Sequence, residues 1–148
     1  EYKNFDFIAY AFAQVGNDIV RNYERNQPLT NRTRYYLDRW TGAGTSNSFP
    51  RATVGAQSNI LFSDFYVEDG SFVRLQNMQL GYSLSEGALE NSTIRDLRFY
   101  VAVQNLFTLT EYQGYDPSVT SGGAIGAGID YGFYPNPRQW LLGVNLKF

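Results

Sequence analysis

Apolar and polar side chains alternate with period two along four runs of this chain, the spacing of a strand with one apolar and one polar face. The clearest run is Asp96–Thr110. Leu97, Phe99, Val101, Val103, Phe107 and Leu109 oppose Asp96, Arg98, Tyr100, Ala102, Gln104 and Thr108, and Asn105 and Leu106 cross the pattern. Residues 138–148 repeat it, with Arg138, Trp140, Leu142, Val144, Leu146 and Phe148 against Gln139, Leu141, Gly143, Asn145 and Lys147. In residues 71–84 the apolar phase begins on Val73 and Leu75 and resumes on Met78, Leu80, Tyr82 and Leu84, a slip of one at Gln76-Asn77. One extra residue restores register after such a slip, so a one-residue bulge is expected there. Residues 4–14 carry Phe5, Phe7, Tyr10 and Phe12 with less contrast between faces, and are read as a strand. The predicted class is all-β, with antiparallel strands at 4–14, 71–84, 96–110 and 138–148.

The connections run long, short, long: 15–70, 85–95 and 111–137. An outer-membrane barrel has that rhythm, because its outward loops are extended and its periplasmic turns brief. With Phe148 at the periplasmic rim, parity puts the 85–95 turn in the periplasm and both long connections outside. In the first of these Thr33, Leu37 and Trp40 share a helical face, Thr30 or Asn31 can cap the start and Gly42 the end, so a short surface helix is expected over 30–42. Residues 41–58 read as irregular, and Glu68-Asp69-Gly70 as a turn into the second strand. The second long connection holds Pro117, Gly122-Gly123, Gly126, Gly128, Pro135 and Pro137 among aromatic residues and reads as a structured loop of functional type. Four strands cannot close a membrane barrel, for which about eight is the minimum. An open edge cannot stand in lipid, so the strands belong to something larger.

Composition narrows the chemistry. The 148 residues suffice for one ordinary domain. Twelve basic against 14 acidic residues give a net charge of -2, and no run of lysines or arginines gathers on a segment, which argues against a nucleic-acid partner. With no cysteine and no histidine, disulfides, thiolate chemistry, the usual zinc sites and histidine-based triads are excluded. No catalytic residue, cofactor or metal is therefore assigned. No segment approaches roughly 18 consecutive apolar residues, which excludes a transmembrane helix. The start at Glu1-Tyr2-Lys3 shows no initiator methionine, basic n-region or apolar h-region, and reads as a cut. Tyr112, Tyr115, Tyr131, Phe133 and Tyr134, near Asp116 and Asp130, are the candidate ligand or partner contacts. Aromatic faces pack on sugar rings or peptide side chains, and carboxylates accept hydrogen bonds from hydroxyls. Asp64, Glu68 and Asp69 are the one close carboxylate cluster, and turn chemistry accounts for Asp69-Gly70 without a metal. Gly123, Gly126 and Gly128 follow no strand into a helix, so no nucleotide loop is read there.

The stretch Val67-Glu68-Asp69-Gly70-Ser71-Phe72-Val73-Arg74-Leu75-Gln76-Asn77, followed by Leu80-Gly81-Tyr82-Ser83-Leu84, resembles the closing part of the SusC/RagA family of TonB-dependent outer-membrane transporters. Further matches are Arg98-Phe99-Tyr100-Val101 with Gln104-Asn105-Leu106-Phe107-Thr108, then Gly114-Tyr115-Asp116-Pro117, Gly128-Ile129-Asp130-Tyr131-Gly132 and the terminal Leu142-Gly143-Val144-Asn145-Leu146-Lys147-Phe148. With Gly16-Asn17-Asp18 and Arg39-Trp40-Thr41 upstream, the resemblance covers almost the whole chain. It implies a barrel of about 22 strands around an N-terminal plug, energised through TonB and served by a SusD-like surface lipoprotein that delivers an oligosaccharide or, next, an oligopeptide. The chain would be the C-terminal segment of that transmembrane β-barrel, in the bacterial outer membrane, without the plug. Trp140, Leu142, Val144, Leu146 and Phe148 would then face lipid and form the signal read by the barrel-assembly machinery. The alternative from another class is a soluble carbohydrate-binding β-sandwich, whose apolar rows would be buried against a second sheet where those of a barrel lie open.

Overall fold

The structure is a computed structural model that describes residues 2–23, 31–53, 61–84, 90, 93–118, 123 and 125–148. The cap expected at Thr30, part of the irregular 41–58 stretch and most of the 85–95 turn lie outside them. The strands are β1 (Phe5–Gln14), β2 (Asp18–Arg21), β3 (Val67–Asp69), β4 (Phe72–Ser83), β5 (Asp96–Thr110), β6 (Ile129–Asp130) and β7 (Gln139–Lys147). The chain divides into two compact units.

The first unit, Glu1–Val15, Ser71–Thr110 and Pro135–Phe148, holds the four long strands as one antiparallel sheet in the order β1-β4-β5-β7. Directly opposed residues of an antiparallel pair share a face. Tyr82 pairs with Phe5 and Phe99, Leu80 with Phe7 and Val101, and Val144 and Leu142 continue these rows on β7. One face is thus apolar across all four strands, and it is open: Phe7 is 59% exposed, Leu80 44% and Leu142 85%. A sandwich sheet buries this row, so the soluble alternative does not fit. In β1 the aromatic residues divide, Phe5 and Phe7 on the apolar face and Tyr10 and Phe12 on the other, which is why its contrast is weak in sequence.

The expected bulge is present at Gln76. Tyr10 pairs with Asn77 and Ala11 with Leu75, leaving Gln76 without a partner on β1. Val73 and Leu75 thereby share a face with Met78, Leu80 and Tyr82. Toward β5 the register steps from Asn77↔Gln104 to Leu75↔Phe107, and Asn105 has a φ of 51°. Asparagine tolerates that left-handed conformation better than most residues. Its Nδ2 donates to the Pro137 carbonyl oxygen at 3.1 Å, just beyond the last β5–β7 pair, Gln104↔Gln139.

On the opposite face Arg98 of β5 reaches over Gly81 of β4 to Asp6 of β1, its Nε donating to Asp6 Oδ1 at 2.9 Å and its Nη2 to Oδ2. A Cβ at Gly81 would collide with both the carboxylate and the guanidinium. Gly81→Val is therefore expected to break the pair and to cost about 1–3 kcal/mol through overpacking. Thermal unfolding of the full barrel in detergent checks this, and Asp6→Asn in the Gly81→Val background should add little.

The second unit, Gly16–Gly70 and Glu111–Tyr134, has its own three-stranded sheet in the order β3-β2-β6, with β2 antiparallel to β3 and parallel to β6. The two long connections are thus joined through a sheet. Two sequence expectations change here. Over 30–42 the helix is a 3-10 turn, Arg34–Asp38, without a side-chain cap. Leu37 and Trp40, which were to form its apolar stripe, are 70% and 38% exposed, so no burial holds an α-helix; Tyr35 and Tyr36 pack instead on Phe49. Glu68 and Asp69 lie in β3 rather than in a turn, paired with Ile19 and Asp18, and only Gly70 leaves the strand. The Gly70 N–H donates to the Asn17 carbonyl at 2.8 Å, and a Cβ there would overlap Ile19, which is fully buried.

Candidate functional site

The candidate contact residues of the second long connection separate by depth. Tyr112 is buried, and its hydroxyl donates to Asp130 Oδ2 at 2.6 Å. Asp130, also buried, accepts at Oδ1 from the Gly132 N–H at 2.8 Å, closing a turn in which Gly132 takes a φ of 83°. Asp116 is buried and accepts at Oδ1 from the Ser118 N–H at 2.9 Å and the Ser118 hydroxyl at 2.8 Å, an Asx turn. Hydrogen bonds within the connection thus occupy these three residues. Tyr115, Tyr131 and Tyr134 are exposed, with Tyr115 against Tyr23 and Tyr131 edge-on to Phe133.

Burial first, then the Asp130 hydrogen bond and charge, push the Tyr112 hydroxyl above the ordinary tyrosine range. The phenol keeps its proton more firmly folded than unfolded, so its stabilisation is complete below the usual value of about 10 and falls as pH rises past it. Tyr112→Phe is expected to remove that alkaline dependence and to cost about 1.5–3 kcal/mol by leaving Asp130 Oδ2 without its donor. Urea unfolding of the loop unit at neutral and alkaline pH reads both effects.

The first long connection supplies the other half of the site. Arg21, 5% exposed on β2, donates to Glu68 of β3 and to the Phe65 carbonyl at 3.3 Å. Its guanidinium lies 4.5 Å from the Tyr35 ring centre and 5.1 Å from that of Phe65. Glu68 also accepts from the Gln113 N–H at 2.9 Å, tying the two connections together. Glu68 is therefore engaged by Arg21 and Gln113, and among the described residues no three carboxylates converge as a metal site would need. From Tyr36 the rings continue through Phe49 and Phe65 to Tyr66 in edge-to-face steps of 5.1–5.2 Å.

This wall borders a cavity of about 880 Å³ that Arg21, Arg32, Arg34, Arg39 and Arg51 also line, with no acidic residue among its described lining. Sequence reasoning missed it because no two of these arginines are adjacent. A signal was available: residues 21–51 hold six arginines against Glu24 and Asp38, in a chain whose net charge is -2.

No family model matches the chain. It is 36% identical over 99% of its length to TonB-dependent receptor P3 of Formosa agariphila, and 30% identical over its whole length to TonB-dependent receptor SusC of Bacteroides thetaiotaomicron. It spans 15% and 14% of those receptors. Among solved structures, the RagAB peptide transporter matches with a TM-score of 0.77 at 27% identity, covering 100% of this chain and 16% of the matched one. The RagAB peptide importer in its open-open state matches at 0.75 and 27%, covering 98% and 16%.

Proposed function

The chain belongs to the SusC/RagA family of TonB-dependent receptors, outer-membrane β-barrel proteins, and from that premise we propose that it forms the C-terminal barrel strands and two outer loops of an active importer. The observation that carries the proposal is the open apolar face running across all four strands of a sheet whose chain matches such receptors end to end. That face suits lipid, and the strands that close the barrel, to a total of about 22, come from outside these residues, as does the plug. Import proceeds by gating of the plug under TonB rather than by covalent catalysis. A SusD-like surface lipoprotein delivers the substrate, an oligosaccharide, with an oligopeptide as the competing class because the matched RagAB structures are of a peptide importer. Tyr115, Tyr131 and Tyr134 are the loop residues exposed to meet substrate or lipoprotein, and Tyr112, Asp116 and Asp130 hold them in place.

Extraction of the parent polypeptide from membranes in detergent tests this. The expected result is a species several times heavier than this segment that travels with a lipoprotein, together with substrate uptake that stops when TonB is deleted. A free soluble protein of the segment's own size, or uptake indifferent to TonB, overturns it.

A further inference from the structure

Resting on the import reading, we propose that the arginine-lined cavity of the loop unit binds an acidic oligosaccharide, with Arg32 and Arg34 receiving the carboxylates of its uronate residues. Glu68 answers the charge of Arg21, while Arg32, Arg34 and Arg39 line a space bordered by no carboxylate among the described residues. Gathered like charges repel one another, and a bound anion offsets that repulsion. Arg39 is partly occupied in the wall, its Nη1 donating to the Tyr36 carbonyl at 3.1 Å, whereas Arg32 and Arg34 are exposed. A guanidinium is a planar fork that matches a carboxylate with two parallel hydrogen bonds.

Two features favour a sugar as the carrier of the anion. The rings of Tyr36, Phe49, Phe65 and Tyr66 give an apolar wall of the kind on which the C–H face of a sugar ring packs, with Arg32 5.2 Å from the Tyr36 ring centre. On a uronate the carboxylate is fixed to that ring, so flat face and charge arrive together. Thr33 Oγ1, which also borders the cavity, is buried with no hydrogen-bond partner among the described residues, an arrangement that costs free energy until a ligand hydroxyl or a water supplies one. An acidic peptide fits less well. Extended peptides bind by adding to an open strand edge, but β2, which contributes Val20 and Arg21 to the cavity, is paired on both sides by β3 and β6. Glutamate carboxylates on flexible stems also lose more rotamer freedom on binding. The volume lies within the roughly 300–1,000 Å³ of small-ligand sites.

Calorimetry on the full-length receptor in detergent decides the matter, with short galacturonate, mannuronate and glucuronate oligosaccharides, their neutral counterparts and a hexaglutamate peptide as probes. At least one uronate oligomer should bind at least about tenfold more tightly than its neutral counterpart, weaken in 0.5 M salt, and lose about tenfold or more in an Arg32→Gln, Arg34→Gln variant. If that variant fails to reach the membrane, Arg34→Gln alone and the salt dependence of the native receptor carry the test. Uronates that bind no better than neutral sugars, an unaffected variant, or binding of hexaglutamate alone overturns the proposal. These measurements need no TonB, so a failure here with TonB-dependent uptake intact removes the ligand class and leaves the import reading standing.

Discussion

Arginine in place of Leu142 is expected to destabilise the membrane-embedded barrel by about 2–4 kcal/mol, the cost of a cation on the lipid face near mid-bilayer. Leu142 pairs with Val101 and is 85% exposed, with Trp140 and Val144 in the same row. Asn145 belongs to the other face, in register with Arg98, and arginine there should change stability by less than about 0.5 kcal/mol. Urea unfolding of the full-length protein refolded into lipid vesicles compares the two, and equal losses at both positions refute the assignment of faces. Phe148 separates a different effect. At the end of the β5–β7 ladder opposite Gln104↔Gln139 the terminal pair is Asp96↔Lys147, so Phe148 lies beyond it, and Phe148→Asp removes no pairing with β5. If Trp140, Leu142, Val144, Leu146 and Phe148 act as an assembly signal, that variant lowers the outer-membrane level in cells while the refolded protein keeps its stability. Unchanged levels in cells remove the signal.

Why the sheet is legible in sequence and the loop unit is not follows from the lengths over which each repeats a rule. Strand β5 offers fifteen residues whose two-residue period is crossed at Asn105 and Leu106 alone, and even the bulge in β4 shows as a slip of one because Val73 and Leu75 change phase relative to Leu80 and Tyr82. In contrast β2, β3 and β6 have four, three and two residues, too few for a period to register, and their pairing joins Val20 to Val67 and to Ile129 across long separations. Local signals there point the wrong way. Glu68-Asp69-Gly70 has turn composition, yet pairing with β2 keeps Glu68 and Asp69 extended. The spacing of Thr33, Leu37 and Trp40 is helical, but the ring contacts with Phe49 are made by the half-buried Tyr35 and Tyr36. Among the candidate residues sequence shows chemistry without depth: Tyr112 and Tyr115 look alike until one is buried on Asp130 and the other exposed beside Tyr23. The arginine cavity needs the fold outright, since Arg21 and Arg51 come to line one space only when the connection closes on itself.

The same closure makes Arg21 the residue on which the loop unit most depends. Arg21→Ala is expected to cost about 3–5 kcal/mol, the range found when one member of a buried ion pair is removed and its partner keeps its charge. Glu68 would retain only the Gln113 N–H, the Phe65 carbonyl would lose a donor, and the rings of Tyr35 and Phe65 would face a void. Hydrogen exchange reads the loss locally. Amides of β2 and β3 should lose protection by about two orders of magnitude or more, while those of β4 and β5 stay as they are. Arg21→Lys keeps the charge but not the fork or the flat stacking surface, so it should fall between the native protein and alanine. The double replacement Arg21→Met with Glu68→Gln should recover much of the stability, because no charge is then left buried alone. Native-like protection of β2 in Arg21→Ala would mean that the two long connections are held by the pairing of β2 with β6 and by the Gln113–Glu68 hydrogen bond, with the ion pair dispensable; a loss that the double replacement does not relieve would assign the effect to packing of the guanidinium rather than to its charge.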